Sequence, residues 1–179
     1  MGNQYVSNSG LNFSILNQTG KQCIIQFEQT GFVRKANIDN IKAGKVRDLY
    51  AASIYGKGYY GEFEKVVFWK QAKQLWQNML KRCYCEADTR GYFGKVTVDP
   101  SWHCLSKFIE DIQTLDNFEG WLEGQNSNRL KYNLDKDTIV EGCKVYSKET
   151  CKFITERENK SMGAKNGKPF TQNKKMALV

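Results

Sequence analysis

The sequence predicts an α+β protein, in which a small three-stranded antiparallel sheet domain precedes a domain with a strand–strand–helix (ββα) unit. Short segments rich in Ile, Val and Phe, separated by glycine-containing turns, occupy residues 1–50. An apolar pattern at helical spacing begins at Phe68, and strand-like segments precede a helix start signal between residues 130 and 163. A run of short strands followed by helical segments is typical of the α+β class.

The composition limits the classes of function that the chain can have. Its 179 residues include 27 Lys and Arg, 19 Asp and Glu and a single His, for a formal net charge of +8. One imidazole is too few for the His-rich hydrolytic and metal sites. No apolar run approaches the roughly 18 residues of a membrane span, and the first residues lack a secretory pattern, so we expect a soluble cytoplasmic protein.

The six cysteines predict buried thiols rather than a zinc site. They lie at positions 23, 83, 85, 104, 143 and 151, with one C-x-C pair and no C-x-x-C pair. Structural zinc normally uses two close ligand pairs, so zinc is not expected. In a reducing compartment most of these residues should be small members of the core.

Three strands are predicted within residues 1–50, in the ranges 11–16, 22–28 and 31–38. Their glycine-containing connections are short enough for an antiparallel meander, and a helical turn over 38–43 should end at Gly44. So small a sheet can bury only one face. We assign Arg34 and Lys35 to the wet face, where they either read the major groove of DNA or form an ordinary solvated surface.

Residues 51–64 are predicted to link two modules, because glycines and tyrosines alternate there. An amphipathic helix follows, with apolar residues at 68, 69, 72, 75, 76, 79, 80 and 83. A second helix should start after Asp99, which precedes Pro100 at the first helical position. His103 lies beside its apolar face and fits a packing role better than catalysis.

A ββα unit is predicted in the second domain, which we place at residues 65–163. Residues 130–134 form its first strand and residues 143–146 its return strand, and Thr155 and Glu158 have the spacing of a capping box. Asp135, Asp137 and Asn159 could hold one divalent cation through oxygen ligands. Alternatively, the two carboxylates cap a turn and pair with neighbouring lysines.

The last residues, 164–179, are predicted to be a flexible basic tail. Six basic and two acidic residues fall in the last 25 positions. Such a segment either contacts nucleic-acid phosphates or is a solvated end. The candidate phosphate contacts in and just before the tail are Lys160, Lys165, Lys168, Lys174 and Lys175.

Four blocks between residues 68 and 160 resemble, in order and spacing, the HNH-like, homing-endonuclease-related proteins of bacteriophages. They are residues 76–84 (WQNMLKRCY), 98–102 (VDPSW) with Phe108, 134–137 (LDKD) and 146–151 (YSKETC), followed by Phe153 and Asn159. Residues 27–32 and 41–44 resemble, more loosely, the apetala-type DNA-binding domain that often precedes this module. Both resemblances imply double-stranded DNA as the partner, and the HNH module implies Mg²⁺ or Mn²⁺ as a cofactor.

The resemblance also assigns roles within the ββα unit. In the HNH motif an Asp-His pair ends the first strand; the His is the general base, and the Asp and a later Asn or His hold the metal. Asp135 then falls on the metal ligand, Lys136 on the general base with Asp137 beside it, and Asn159 on the helical ligand. Thr150 stands where an Asn fixes the loop. Lysine has an ordinary pKa of about 10.4 and is a poor base near neutral pH, so weak or no cleavage is expected.

The leading functional hypothesis is a DNA-binding protein of a phage or mobile element, related to HNH homing endonucleases, with residual metal-dependent nicking in doubt. An alternative from another class is a nuclease-dead, anti-CRISPR-like phage inhibitor, whose partner would be a host nuclease or another nucleic-acid-directed defence or regulatory protein. A third is an isolated transcription-type DNA-binding protein.

Overall fold

The computed structural model describes residues 4–125 and 131–165. The chain divides into two compact units, residues 1–111 and 112–179. The link predicted at 51–64 falls inside the first unit and not between the two. Of the predicted basic tail, Lys168, Lys174 and Lys175 lie outside the described residues.

The first unit begins with four strands and a short helix and continues with longer helices. Its elements are β1 (Gln4–Val6), β2 (Asn12–Thr19), β3 (Gln22–Phe27), β4 (Val33–Asn37), α1 (Ile38–Lys42), α2 (Trp69–Tyr84), β5 (Thr97–Val98), a 3-10 helix (Pro100–His103) and most of α3 (Leu105–Ile112). The second unit contains α4 (Phe118–Gly124), β6 (Tyr132–Asp135), β7 (Val145–Tyr146), β8 (Lys152–Thr155) and α5 (Glu156–Lys165).

The N-terminal sheet has four strands rather than the three expected. Its order is β1-β2-β3-β4, and all neighbouring strands are antiparallel. β1 has only three residues, too few to show an alternating pattern in the sequence. The predicted helical turn is confirmed as α1, which Asn37 caps by accepting a hydrogen bond from the Asp39 amide; Gly44 follows with a φ of +65°.

One face of this sheet buries the core of the domain. Phe13, Ile25 and Phe27 are fully buried there, and Ile41 of α1 and Val46 cover them. The rings of Phe13 and Phe27 lie 5.4 Å apart. Each such side chain stabilises the fold by about 1.5–3 kcal/mol through removal from water, so this face fixes the strand register.

The segment 51–64 is packed onto the helices that follow it. The Tyr59 amide donates to the His103 carbonyl, and the Tyr59 carbonyl accepts from the Leu105 amide, each at 2.9 Å. Gly58 lies so close to α2 that a Cβ atom there would be 2.4 Å from Cδ1 of Leu80. Glycine at 58 is therefore required by close packing.

The amphipathic helix predicted from Phe68 is confirmed as α2, but the second predicted helix is interrupted. Asp99 caps its start by accepting from the Ser101 amide at 2.9 Å. The first turn is a 3-10 helix, and Cys104 then adopts an extended backbone before α3 begins. The break occurs where this segment pairs with Tyr59.

In the second unit β6 pairs with β8 in antiparallel register, and α5 follows β8 directly. The prediction that residues 143–146 form the return strand is thus wrong. Residues 145–146 form β7, whereas the strand that pairs with β6 is β8. The capping box is confirmed, since the Glu158 amide donates to Thr155 Oγ1 and the Thr155 amide to Glu158 Oε2.

The helix α4 has no counterpart among the predicted elements. The Trp121 ring on it stacks on the Phe153 ring, with their centres 5.1 Å apart. No helix in the described ranges is long and apolar enough to span a membrane.

Candidate functional site

Asp135 ends β6 and caps the loop that follows it. Its Oδ2 atom accepts hydrogen bonds from the amide of Asp137 at 3.0 Å, from the amide of Thr138 at 2.8 Å and from the Thr138 hydroxyl. A short carboxylate that binds the backbone two and three residues later stabilises a turn. This is the turn-capping alternative that the sequence left open.

Lys136 and Asp137 form an ion pair next to this turn. The Lys136 Nζ atom lies 2.7 Å and 2.8 Å from the two carboxylate oxygens of Asp137 and 5.8 Å from the centre of the Tyr146 ring. The Lys136 side chain is only 6% exposed, whereas that of Asp137 is 38% exposed. The ammonium thus neutralises Asp137 within the loop, and the two side chains constrain each other.

Thr150 fixes the far side of the same loop. Its hydroxyl donates to the Val145 carbonyl at 2.8 Å and accepts from the Ser147 amide at 3.0 Å. A hydroxyl therefore bridges this turn, although threonine has no amide group. Next to it, burial raises the pKa of the Cys151 thiol to about 12, so this thiol stays protonated and belongs to the core.

Asn159 and the turn that Asp135 caps lie at opposite ends of β8. Asp135 is opposite Lys152, at the beginning of β8, whereas α5 starts at the other end of β8 and exposes Asn159 on its first turn. Lys160, next to Asn159, pairs with Glu156 at 2.8 Å and lowers the pKa of that carboxyl. The structure thus brings Asp135, Lys136 and Asp137 together in one loop and puts Asn159 on the following helix.

The residues of the loop are a poor match to a divalent cation. Oδ2 of Asp135 already accepts three hydrogen bonds, and both carboxylate oxygens of Asp137 face an ammonium group. Within residues 4–125 and 131–165, no group of three or more His, Cys, Asp and Glu side chains is arranged to hold a metal ion.

His103 has a packing environment. Its Nε2 atom lies 3.0 Å from the hydroxyl of Tyr84, and the two rings meet edge to face. Partial burial lowers the pKa of His103 below its ordinary value, with the nearby charge of Lys57 acting in the same direction. The imidazole is thus a hydrogen-bonded packing residue, as the sequence suggested.

Arg34 and Lys35 lie on opposite faces of the sheet, which corrects their joint assignment to the wet face. Arg34 is opposite the buried Ile25, and its Nη1 atom donates to the Arg47 carbonyl at 2.9 Å. Lys35 is opposite Ile24 and is exposed. Successive side chains of a strand point to opposite sides, so two adjacent residues cannot share one face.

The face opposite the core, which we call the open face, carries mainly uncharged polar side chains beside Lys35. Two rows cross its centre: Asn17, Ile24 and Lys35, and Thr19, Gln22 and Asn37. Every side chain of these rows is exposed or half-buried, and in the described strands no acidic residue lies on this face.

Asn17 reaches the open face through a β-bulge. The register of β2 against β3 shifts between Ile15 and Asn17. Without this shift, Asn17 would share the core face with Ile15, because side chains two apart on a strand lie on the same side. Simple alternation therefore could not find Asn17, whereas Gln22 and Lys35 lie where alternation puts them.

Comparison of the chain with protein-family models, with curated proteins and with solved structures gave no match.

Proposed function

We propose that this protein binds double-stranded DNA and that the open face of its N-terminal sheet enters the major groove. The observation that carries the proposal is the set of side chains on this face: exposed amides and hydroxyls around Lys35, with no carboxylate among the described strands. Amides and hydroxyls match the donors and acceptors of base edges, while an ammonium matches phosphate or guanine. The formal net charge of +8 supports the same partner.

The dimensions of the face suit a groove of B-form DNA. The strands β2, β3 and β4 span about 10 Å, because neighbouring strands are about 4.8 Å apart. The major groove of B-DNA is about 12 Å wide. Double-stranded RNA has a deep and narrow major groove that does not admit such a surface, so we expect weaker binding to an RNA duplex of equal length.

The test is fluorescence anisotropy with a labelled duplex, at several salt concentrations. Lys35→Ala should weaken binding and reduce the slope of log K against log salt by about 0.9, the value for one phosphate contact. Lys42→Ala is the matched control, because it removes the same charge from α1, which packs on the core face. Equal effects of the two variants, or stronger binding to RNA, would contradict the proposal.

We also propose that β6, β8 and α5 form a degenerate HNH-like module, of the type found in phage proteins and homing endonucleases. The pairing of β6 with β8, with α5 directly after β8, supports this assignment, as does Thr150 in the role of the loop-fixing residue. Lys136 occupies the position of the general base, but its ammonium group is paired with Asp137 and cannot accept a proton. Wild-type protein should therefore leave supercoiled plasmid intact with Mg²⁺ or Mn²⁺. Nicking that Asp135→Ala abolishes would contradict the claim of degeneracy.

A further inference from the structure

The open face lacks the side chain that most often recognises guanine. Arginine reads guanine by two parallel hydrogen bonds to O6 and N7. The arginine of the sheet, Arg34, lies on the core face, where the Arg47 carbonyl accepts from its guanidinium. Across the described strands, the open face carries no arginine. Lys35 therefore supplies the positive charge of the open face, and an ammonium group suits a phosphate as well as a base.

Two amides at the centre of the open face are available to a ligand, whereas three of the amides around them are used within the protein. Gln4 donates to Glu28, Gln26 donates to the Gly31 carbonyl, and Asn37 caps α1. By contrast, the side chains of Asn17 and Gln22 have no hydrogen-bond partner among the described residues. An amide with both its oxygen and its nitrogen available can bind N7 and N6 of adenine at once.

An apolar side chain lies between these amides and Lys35. Ile24 is opposite Asn17 on one side and Lys35 on the other, and it is half-buried. A shallow depression joins Asn17, Gln22, Ile24 and Lys35 across the three strands. The methyl group of thymine, which projects into the major groove next to adenine N6, is the apolar feature that such a position accepts.

We propose that the open face discriminates in favour of A·T base pairs, with Asn17 and Gln22 binding adenine edges and Ile24 contacting a thymine methyl. This inference rests on the proposed binding of duplex DNA and adds the class of sequence that the face prefers. Lys35 adds affinity through a phosphate and little discrimination, because phosphate contacts carry no sequence information.

The experiment changes the DNA first, so that no protein variant needs to fold. Wild-type affinity is measured for an A·T-rich duplex, for the same duplex with uracil in place of thymine, for the same duplex with 7-deazaadenine in place of adenine, and for a G·C-rich duplex of equal length. Loss of one contacted thymine methyl should weaken binding roughly threefold to fourfold. Loss of adenine N7 removes one of the two hydrogen bonds of a bidentate contact and should weaken binding roughly fivefold for each contacted adenine.

Two protein variants locate the effect. Asn17→Ala with Gln22→Ala should reduce the A·T to G·C affinity ratio to roughly the threefold to fourfold that the Ile24 contact supplies, while general binding persists. Gln18→Ala is the control, because it removes an amide from the position next to Asn17. Gln18 is opposite Cys23, a residue of the core face, so it does not lie on the open face. Equal affinity for all four duplexes would overturn this inference and leave DNA binding intact, whereas no affinity for any duplex would overturn the proposed function itself.

Discussion

Replacing Lys136 by Met should destabilise the second unit by about 2 kcal/mol, because the substitution removes the partner of Asp137 from the β6–β8 loop. The Lys136 Nζ atom lies 2.7 Å and 2.8 Å from the two oxygens, and its side chain is 6% exposed. A hydrogen bond to a charged group contributes about 1.5–3 kcal/mol, and a fully buried ion pair that loses one partner costs about 3–5 kcal/mol. Asp137 is 38% exposed, so water can solvate its carboxylate and the loss stays near the lower range.

Amide hydrogen exchange in β8 measures this loss within the second unit alone. A loss of about 2 kcal/mol corresponds to roughly thirtyfold faster exchange of the Phe153 and Ile154 amides when exchange follows unfolding of the unit. Asp137→Asn and the double variant complete a thermodynamic cycle, in which the coupling energy should be about 1–2 kcal/mol. A change in the single Lys136 variant below about 0.5 kcal/mol, the usual effect of a surface substitution, would refute the role given to this ion pair.

Thr150→Val should destabilise the same loop by about 1–3 kcal/mol in urea denaturation, since the Ser147 amide loses its acceptor, while Thr150→Ser should retain most of the stability. Gly58→Ala should cost about 1–3 kcal/mol through overpacking against Leu80, and a variant as stable as wild type would show that α2 yields there. Because His103 has a lowered pKa in the folded chain, the unfolded chain binds its proton at a higher pH. The free energy of unfolding should therefore fall as the pH drops from about 7 to about 5, and His103→Gln should flatten that part of the profile.

Two helices could be predicted from local signals in the sequence. The spacing of apolar residues from Phe68 and the capping box at Thr155 each produce a helix where they occur. Tertiary contacts decided the rest. Cys104 is drawn into an extended backbone by pairing with Tyr59, a contact between residues 45 positions apart in the chain. No local pattern carries that information.

The candidate sites were predictable to different degrees. Asp135, Lys136 and Asp137 are consecutive, so their proximity followed from the sequence, but the choice between capping a turn and holding a cation depends on which atoms of the loop they meet. The open face depends on alternation, which puts Lys35 and Arg34 on opposite faces; the joint assignment of both to the wet face did not apply it. Asn17 required knowledge of the bulge after Ile15, and a bulge leaves no clear mark in the sequence.

The most direct test of DNA binding through the open face is an NMR titration of isotope-labelled protein with an A·T-rich duplex. The side-chain amide signals of Asn17 and Gln22 report on that face, and those of Asn159 report on α5 in the second unit. We expect large shifts for Asn17 and Gln22, with saturation at the affinity measured by anisotropy. Shifts confined to residues 131–165, with Asn17 and Gln22 unmoved, would contradict the account.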